Sequence, residues 1–410
     1  MQNKKQIFYW ALYDFANAIV MIVFFLYFTQ WMVVDKHLSD LGFNMIFVGS
    51  SILLLLTAPI LSSIADKWNN RLIFIRPITV GAFVGYLICG IIANFFPSML
   101  WLAVIVFMLG NFLYQLSYVF YNPILHELSN SQNRGKISAI GMTASWLGQI
   151  VGVLIAFPLA QMTHPLFGVG IAGRPQTFIP IAIIFFLLSL PMLTLFKEQG
   201  VSSIVPISLK NELKNFSLSF KALWLIPGMA LFLLAFFFYN DAVVTAGNNF
   251  PIYLEKVFSV SDNLKSLALL GILVTSAIGA FFAGSIADRV GLKKSLQYIV
   301  GGWIIIMPIL AYQTNFWHFA IALVFMGFLY GAVSTVARAY MVHLSDPKQL
   351  NFAFSFFTLT ERCATFIGPL GWGLSLYFMS SLGHDAYRYS FLTLMVFMII
   401  GFILIRKIKK

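Results

Sequence analysis

The 410-residue chain has little charge: Asp, Glu, Lys and Arg make up 10% of it and only 14 residues are acidic. An average soluble domain carries roughly a quarter charged residues. With 60% hydrophobic residues and a mean hydropathy of +0.87, this composition cannot cover a water-soluble core with polar surface. Cysteine is nearly missing. Cys89 and Cys363 lie in separate apolar stretches, which excludes a disulfide framework, a CxxC pair and a cysteine zinc site. There is no Walker lysine loop, no Gly-x-Ser-x-Gly elbow and no HExxH, and His126-Glu127 stands without further metal-ligand spacing. ATP hydrolysis, serine hydrolysis and zinc peptidase chemistry therefore lack their parts. The chain reads as a non-enzyme with no metal and no cofactor.

What is present is apolar sequence in blocks of about 20 residues, the length a helix needs to cross a bilayer. Twelve candidate spans fall near residues 7–34, 43–65, 72–94, 98–121, 137–160 and 177–196, then 222–253, 266–287, 295–314, 317–341, 352–379 and 387–405. The first follows Met1 to Lys5 and is too long for a secretory signal, with no small-residue cleavage site after it, so it is expected to remain as a span. The net charge of +12 would suggest nucleic acid in a soluble protein, but here Lys and Arg sit in short loops and at the ends. With both termini placed in the cytoplasm, the inner segments hold about 19 of these cations and the outer loops about 5. That bias satisfies the positive-inside rule. The partners expected are a lipid bilayer and a small molecule, not nucleic acid.

The longest polar connection, residues 197–221, divides the chain into two six-span halves, 1–196 and 222–410. The halves repeat each other. Ser-Ser-Ile-Ala-Asp-Lys ends span two at Asp66 and Lys67, and Gly-Ser-Ile-Ala-Asp-Arg ends span eight at Asp288 and Arg289. His-Glu-Leu-Ser through Ser129 matches Val-His-Leu-Ser through Ser345, and Tyr13-Asp14 of span one matches Asn240-Asp241 of span seven. Nearly constant offsets argue for a duplicated unit. The expected fold is all-α integral membrane: twelve transmembrane helices in two pseudo-symmetric six-helix bundles.

Gly284 to Lys294, Gly-Ser-Ile-Ala-Asp-Arg-Val-Gly-Leu-Lys-Lys, resembles the loop motif of the major facilitator superfamily; its first-half copy, Ser62 to Arg71, keeps Asp66 but has Asn69 in place of glycine. Trp10-Ala-Leu-Tyr-Asp-Phe-Ala-Asn17, Tyr239-Asn240-Asp241, Arg134-Gly-Lys-Ile-Ser-Ala-Ile-Gly141 and Phe366-Ile-Gly-Pro369 are similar to the branch holding the autophagy-related vacuolar amino-acid effluxers and their bacterial relatives. The resemblance implies a secondary transporter of amino acids or similar zwitterions, with export favoured over uptake.

An ionisable group at mid-membrane depth costs roughly 2.5–3.5 kcal/mol on insertion scales, so each one needs a partner or a function. Asp14 lies ~15 Å into span one. Asp241 holds the matching place in span seven, and either acid can bind a proton or a substrate amino group, or can pair structurally through Asn17 and Asn240. Glu361 and Arg362 in span eleven are a further proton-site candidate and a carboxylate-binding candidate, with a structural interhelical ion pair as the alternative. Arg338, nearer the inner end of span ten, either binds substrate or snorkels to headgroups. Gln115, Tyr118 and Asn122 share one face of span four, and Trp146 and Gln149 repeat that spacing on span five, so these and Tyr239 are candidates to line a wet chamber. The gating candidates are Asp66, Lys67 and Arg71 in one half and Asp288 and Arg289 in the other. Each acid can cap a helix N-terminus, span eleven for Asp66 and span five for Asp288, when the cytoplasmic side is closed.

The expected protein is thus a proton-coupled alternating-access transporter, a monomer of the bacterial inner membrane. Drug, siderophore or peptide-fragment transport, or lipid movement on the same fold, remain alternatives.

Overall fold

A computed structural model describes residues 2–38, 40–166, 168, 170–198, 221, 224–260 and 262–408. Within these, the side chains of 2–3, 33–34, 40–48, 251–252, 255, 262–263, 265–266, 362–367 and 369–370 lie outside the described set. So do most of the 197–221 connection and the side chain of Arg362.

The described residues form helices and no strand. Twelve are long: α1 Gln2–Val23, α2 Asp40–Trp68, α3 Leu72–Phe95, α4 Leu100–Tyr121, α5 Arg134–Gln161, α6 Phe178–Thr194, α7 Met229–Phe258, α8 Asp262–Val290, α9 Leu292–Tyr312, α10 Phe316–Leu344, α11 Leu350–Phe378 and α12 Asp385–Lys407. Among the described residues, eleven helical segments are long and apolar enough to cross a membrane, and α11 is the long helix beyond them. This is an integral, multi-pass membrane protein. Large apolar side chains such as Leu56, Trp101, Leu154, Phe281 and Ile305 are exposed on the helices because lipid, not water, is their solvent.

Two boundaries depart from the sequence reading. The first span does not run as one α-helix over 7–34: after Val23 the chain makes π turns at Phe24–Phe28 and Trp31–Asp35. The seventh helix begins at Met229 rather than near 222, because Pro227 lacks a backbone donor and Gly228 takes a positive φ of 82°.

Contacts gather Met1–Leu128 with Ala144–Phe216 as one unit, and Ser129–Thr143 with Ser217–Lys410 as the other. The sequence division leaves all of 129–143 with the first half. The contacts give them to the second unit, where Gly135 lies against Gly284 of α8.

In the first unit α3 packs on α4 and α6, and α1 on α6. Phe24, Phe28, Tyr86, Phe107 and Phe178 form its aromatic centre, with Phe24 and Tyr86 rings 4.5 Å apart. Gly85 permits the α3–α4 approach: a Cβ there would stand 3.2 Å from the Gly110 Cα.

In the second unit the closest seam joins α8 and α10. Gly327-x-x-x-Gly331 of α10 faces Thr275 and Ser276 of α8, while Gly279 of α8 lies under Phe328. Small residues let the backbones touch, and Ser276 Oγ donates to the Gly327 carbonyl at 2.9 Å. A side chain at Gly331 would run into the Ser276 carbonyl oxygen, which cannot move aside as a flexible side chain would. Gly331→Val is therefore expected to cost more than the usual ~1–3 kcal/mol of overpacking. Size-exclusion profiles of the solubilised protein should show loss of the monodisperse peak, and an unchanged profile and melting temperature would refute the seam.

Candidate functional site

The repeat is visible in the backbone of both turns. Asn69 after α2 and Gly291 after α8 take positive φ, 44° and 98°. Asn fills the glycine position of the first copy because its short polar side chain tolerates the left-handed region. Asp66 is half-buried and Lys67 exposed at the end of α2; Asp288 is half-buried and Arg289 exposed at the end of α8.

Asp288 lies at the N-terminus of α5. Its two carboxylate oxygens accept from the backbone N–H of Gly135 at 2.7 Å and of Lys136 at 2.8 Å, and its charge also acts on the Arg134 guanidinium. The first N–H groups of a helix have no partner within the helix and carry its positive dipole end, so an acid belongs there. Arg338 of α10 holds the same stretch one turn further on. It is 4% exposed and donates through Nη2 to the Ser138 carbonyl at 2.7 Å and through Nε to Ser138 Oγ at 3.2 Å. Ser138 Oγ in turn donates to the Thr335 carbonyl at 2.8 Å. The side chain of Arg338 is engaged in the protein rather than snorkelling.

Arg71 is the largest departure from expectation. Sequence placed it among the solvent-side gating charges, but its side chain is only 4% exposed. It pairs with Glu127, which follows α4, and with Glu198, which follows α6, the latter at 3.0 Å. The Glu198 carboxylate also accepts from the backbone N–H of Arg71 at 2.8 and 2.9 Å and of Leu72 at 3.1 Å, so it caps α3. Nearby, Arg76 Nε donates to the Leu193 carbonyl at 2.8 Å and the Lys197 N–H to Gln6 Oε1 at 2.9 Å. Sequence reasoning passed over Glu127 and Glu198 as site residues.

Deeper in the first unit, Asp14 is 1% exposed and accepts from the Tyr118 hydroxyl at 3.2 Å. Tyr114 donates to the Tyr118 oxygen at 3.4 Å, so two hydroxyls lead to the acid. One turn toward the N-terminus, Trp10 and Tyr121 stack with centroids 5.1 Å apart, and Tyr121 donates to the Trp10 carbonyl at 2.9 Å. Asn17 donates to the Tyr13 carbonyl of its own helix at 2.8 Å. Of the α4 face, Tyr118 thus meets Asp14; Gln115 is buried with its Oε1 unpartnered among the described residues, and Asn122 is buried in the 3-10 turn after α4. On α5, Trp146 is buried and Gln149 half-buried, while Gly148 and Gly152 pack on Phe15 and Ile19 of α1.

In the second unit Asp241 is 0% exposed on α7, and neither carboxylate oxygen has a hydrogen bond of ordinary geometry among the described residues. The backbone of Gly368 on α11 lies against it, and a Cβ at that glycine would stand 2.6 Å from Oδ1. Tyr239 is buried and Asn240 half-buried beside it. Glu361 is half-buried on α11 and acts electrostatically on the Tyr330 hydroxyl of α10.

Twelve long helices with an acid buried in the first helix of each repeat make a polytopic membrane protein with costly charges inside it. A family model described as Major Facilitator Superfamily matches residues 231–409. The chain is 25% identical over 390 residues to the uncharacterized MFS-type transporter YxiO of Bacillus subtilis, covering 88% of this chain and 86% of that one. It is 25% identical over 194 residues to autophagy-related protein 22 of Cryptococcus neoformans, 43% of this chain and 34% of the relative. The crystal structure of the transporter FucP in the outward conformation aligns with a TM-score of 0.78 at 16% identity, over 100% of this chain and 99% of that one. Residues 231–409 thus match the Major Facilitator Superfamily model, and the chain as a whole is similar in fold and sequence to transporters rather than to enzymes.

Proposed function

We propose that the chain is a proton-coupled secondary transporter of amino acids or similar small zwitterions, exporting them across a bacterial inner membrane with both termini in the cytoplasm. It works as a monomer and needs no resident cofactor. The observation that carries this reading is the pair of acids at matching places in α1 and α7, each at most 1% exposed. Intramembrane acids are costly and are retained where they move ions or hold substrate. Asp14 has a hydroxyl donor and Asp241 has none among the described residues, so the two are suited to different tasks: Asp14 to holding a substrate amino group beside Tyr118, Asp241 to taking up and releasing the proton. Arg362 supplies the positive charge for a substrate carboxylate. The Asp288 cap on α5 is made and broken as access alternates.

Proteoliposome flux tests this. With an imposed pH gradient, a zwitterionic amino acid should accumulate against its own gradient, and accumulation should collapse with a protonophore. Lipid exchange without solute flux, or flux indifferent to the pH gradient, would overturn it. Asp288→Ala removes both acceptors from the α5 N-terminus. It is expected to shift the population toward the inward-open state, read as lower labelling of thiols introduced on the periplasmic side; unchanged labelling would count against the latch.

A further inference from the structure

The two units treat equivalent cations in opposite ways. Aligned on the Asn69 and Gly291 turns, Arg71 of the first unit corresponds to Lys293 of the second, and the match of Leu128-Ser129 with Leu344-Ser345 sets His343 in the place of Glu127. Arg71 holds two carboxylates, and one of them, Glu198 beyond α6, also caps α3. Lys293 holds none among the described residues. Its Nζ donates instead to the Ile408 carbonyl, which brings the first turn of α9 against the last turn of α12. Where the chain beyond α6 carries Glu198, the end of α12 carries Arg406 and Lys407.

Lys293, Lys294, Arg406 and Lys407 therefore meet at one seam, and among the described residues none of the four is paired with an acid. At this end of the second unit Asp288 accepts from the α5 amides and Asp346 from the Lys348 N–H. Lys293 and Lys294 also stand in the first turn of α9, which has no acidic residue and no side-chain cap. That turn is the positive end of the helix dipole, where cations repel and an anion is favoured. The seam thus has every part of the Arg71 cluster except the negative charge.

The surface beside it selects the anion. Tyr298, one turn on from Lys294, is 70% exposed, and Ile305 further along the helix is 66% exposed. On α12 the Phe402 ring lies 6.0 Å from the Arg406 guanidinium, and its edge faces Gly301 of α9. Aromatic side chains at headgroup depth with apolar ones beyond them are what a phospholipid meets, and basic pockets between helix ends take anionic headgroups. A soluble anion would use the cations alone.

We propose that Lys293, Lys294, Arg406 and Lys407 bind the phosphate of an anionic phospholipid whose chains run along α9 past Tyr298. The phosphate does for α9 what the Glu198 carboxylate does for α3. The site lies apart from the buried acids and holds whatever the chain transports.

Binding is measurable without transport. The delipidated full chain in an uncharged detergent is melted against dioleoylphosphatidylglycerol, dioleoylphosphatidylcholine and inorganic phosphate at equal ionic strength. A saturable rise with phosphatidylglycerol alone is expected, since a ligand that binds only the folded state stabilises it by mass action. The double variant Lys294→Gln/Lys407→Gln removes two exposed cations that make no bond among the described residues. It should melt as the parent does in phosphatidylcholine and bind phosphatidylglycerol roughly thirtyfold more weakly, because each cation near an anionic headgroup is worth roughly fivefold. Lys294→Arg/Lys407→Arg should keep the response. So should Lys348→Gln, which removes an exposed cation ahead of α11 instead. Equal rises with the two lipids would overturn the proposal, as would a full response in the double glutamine variant or the same loss in Lys348→Gln. An equal rise with inorganic phosphate would overturn it in favour of a soluble anion.

Discussion

Asp241→Asn is expected to bring gradient-driven accumulation down to the level of protein-free liposomes while the chain still inserts and runs as a monodisperse species. The substitution keeps the size of the side chain and removes the site of protonation. Because the native carboxylate has no hydrogen bond of ordinary geometry among the described residues, only the Gly368 backbone against it, little packing or bonding energy goes with it. Asp14→Asn should behave differently. Its amide oxygen can still accept from Tyr118, so the α1–α4 contact at 3.2 Å survives while affinity for a substrate amino group falls. Counterflow, which needs substrate binding but no net proton movement, separates the two: it should persist in Asp241→Asn and be lost in Asp14→Asn. Normal pH-dependent flux in both variants would reject them as the working pair.

The second large effect is on stability. Arg71→Ala leaves the Glu127 and Glu198 carboxylates facing a vacated space, their side chains 13% and 1% exposed. Removing one partner of a buried ion pair costs about 3–5 kcal/mol, because the buried charge left behind loses that counter-ion without gaining water. A correspondingly earlier unfolding transition is expected for the solubilised protein. Glu198→Gln should cost less than Arg71→Ala, since an amide oxygen can still accept from the Arg71 and Leu72 N–H groups. Equal stability of Arg71→Ala and the parent would remove the cluster from the account.

These residues also show what a sequence displays and what it hides. The spans are legible because a hydrocarbon slab demands long uninterrupted apolar runs. Asp14 and Asp241 stand out against such runs, and the duplicated Asp66 and Asp288 turns announce themselves by repetition. Arg71 was legible only as a cation near a span end, where counting charges for topology is the natural reading. Its partners lie 56 and 127 residues away, and only the folded register brings them to it. Thr245 carries no signal at all, for hydroxyls are ordinary in apolar helices. Ser189, for example, simply donates to the carbonyl of Phe185 in its own helix. Gly368 stood in the sequence only as part of the Phe366-Ile-Gly-Pro369 motif; that the Asp241 and Thr245 oxygens meet over it is a tertiary fact. Arg338 was legible as a cation in an apolar helix, but its bond to Ser138 depends on which helix lies alongside.

The Glu198 cap has a consequence for biogenesis. The ribosome delivers Arg71 and the exposed amides at the start of α3 long before it makes the acid that completes them, 127 residues later. Until then the nascent first bundle holds these groups without the Glu198 carboxylate. A chain stalled or truncated ahead of residue 198 should be recognised by membrane quality control and degraded faster than one released just beyond it, so the acid that follows the sixth helix acts as a completion mark for the first half of the protein.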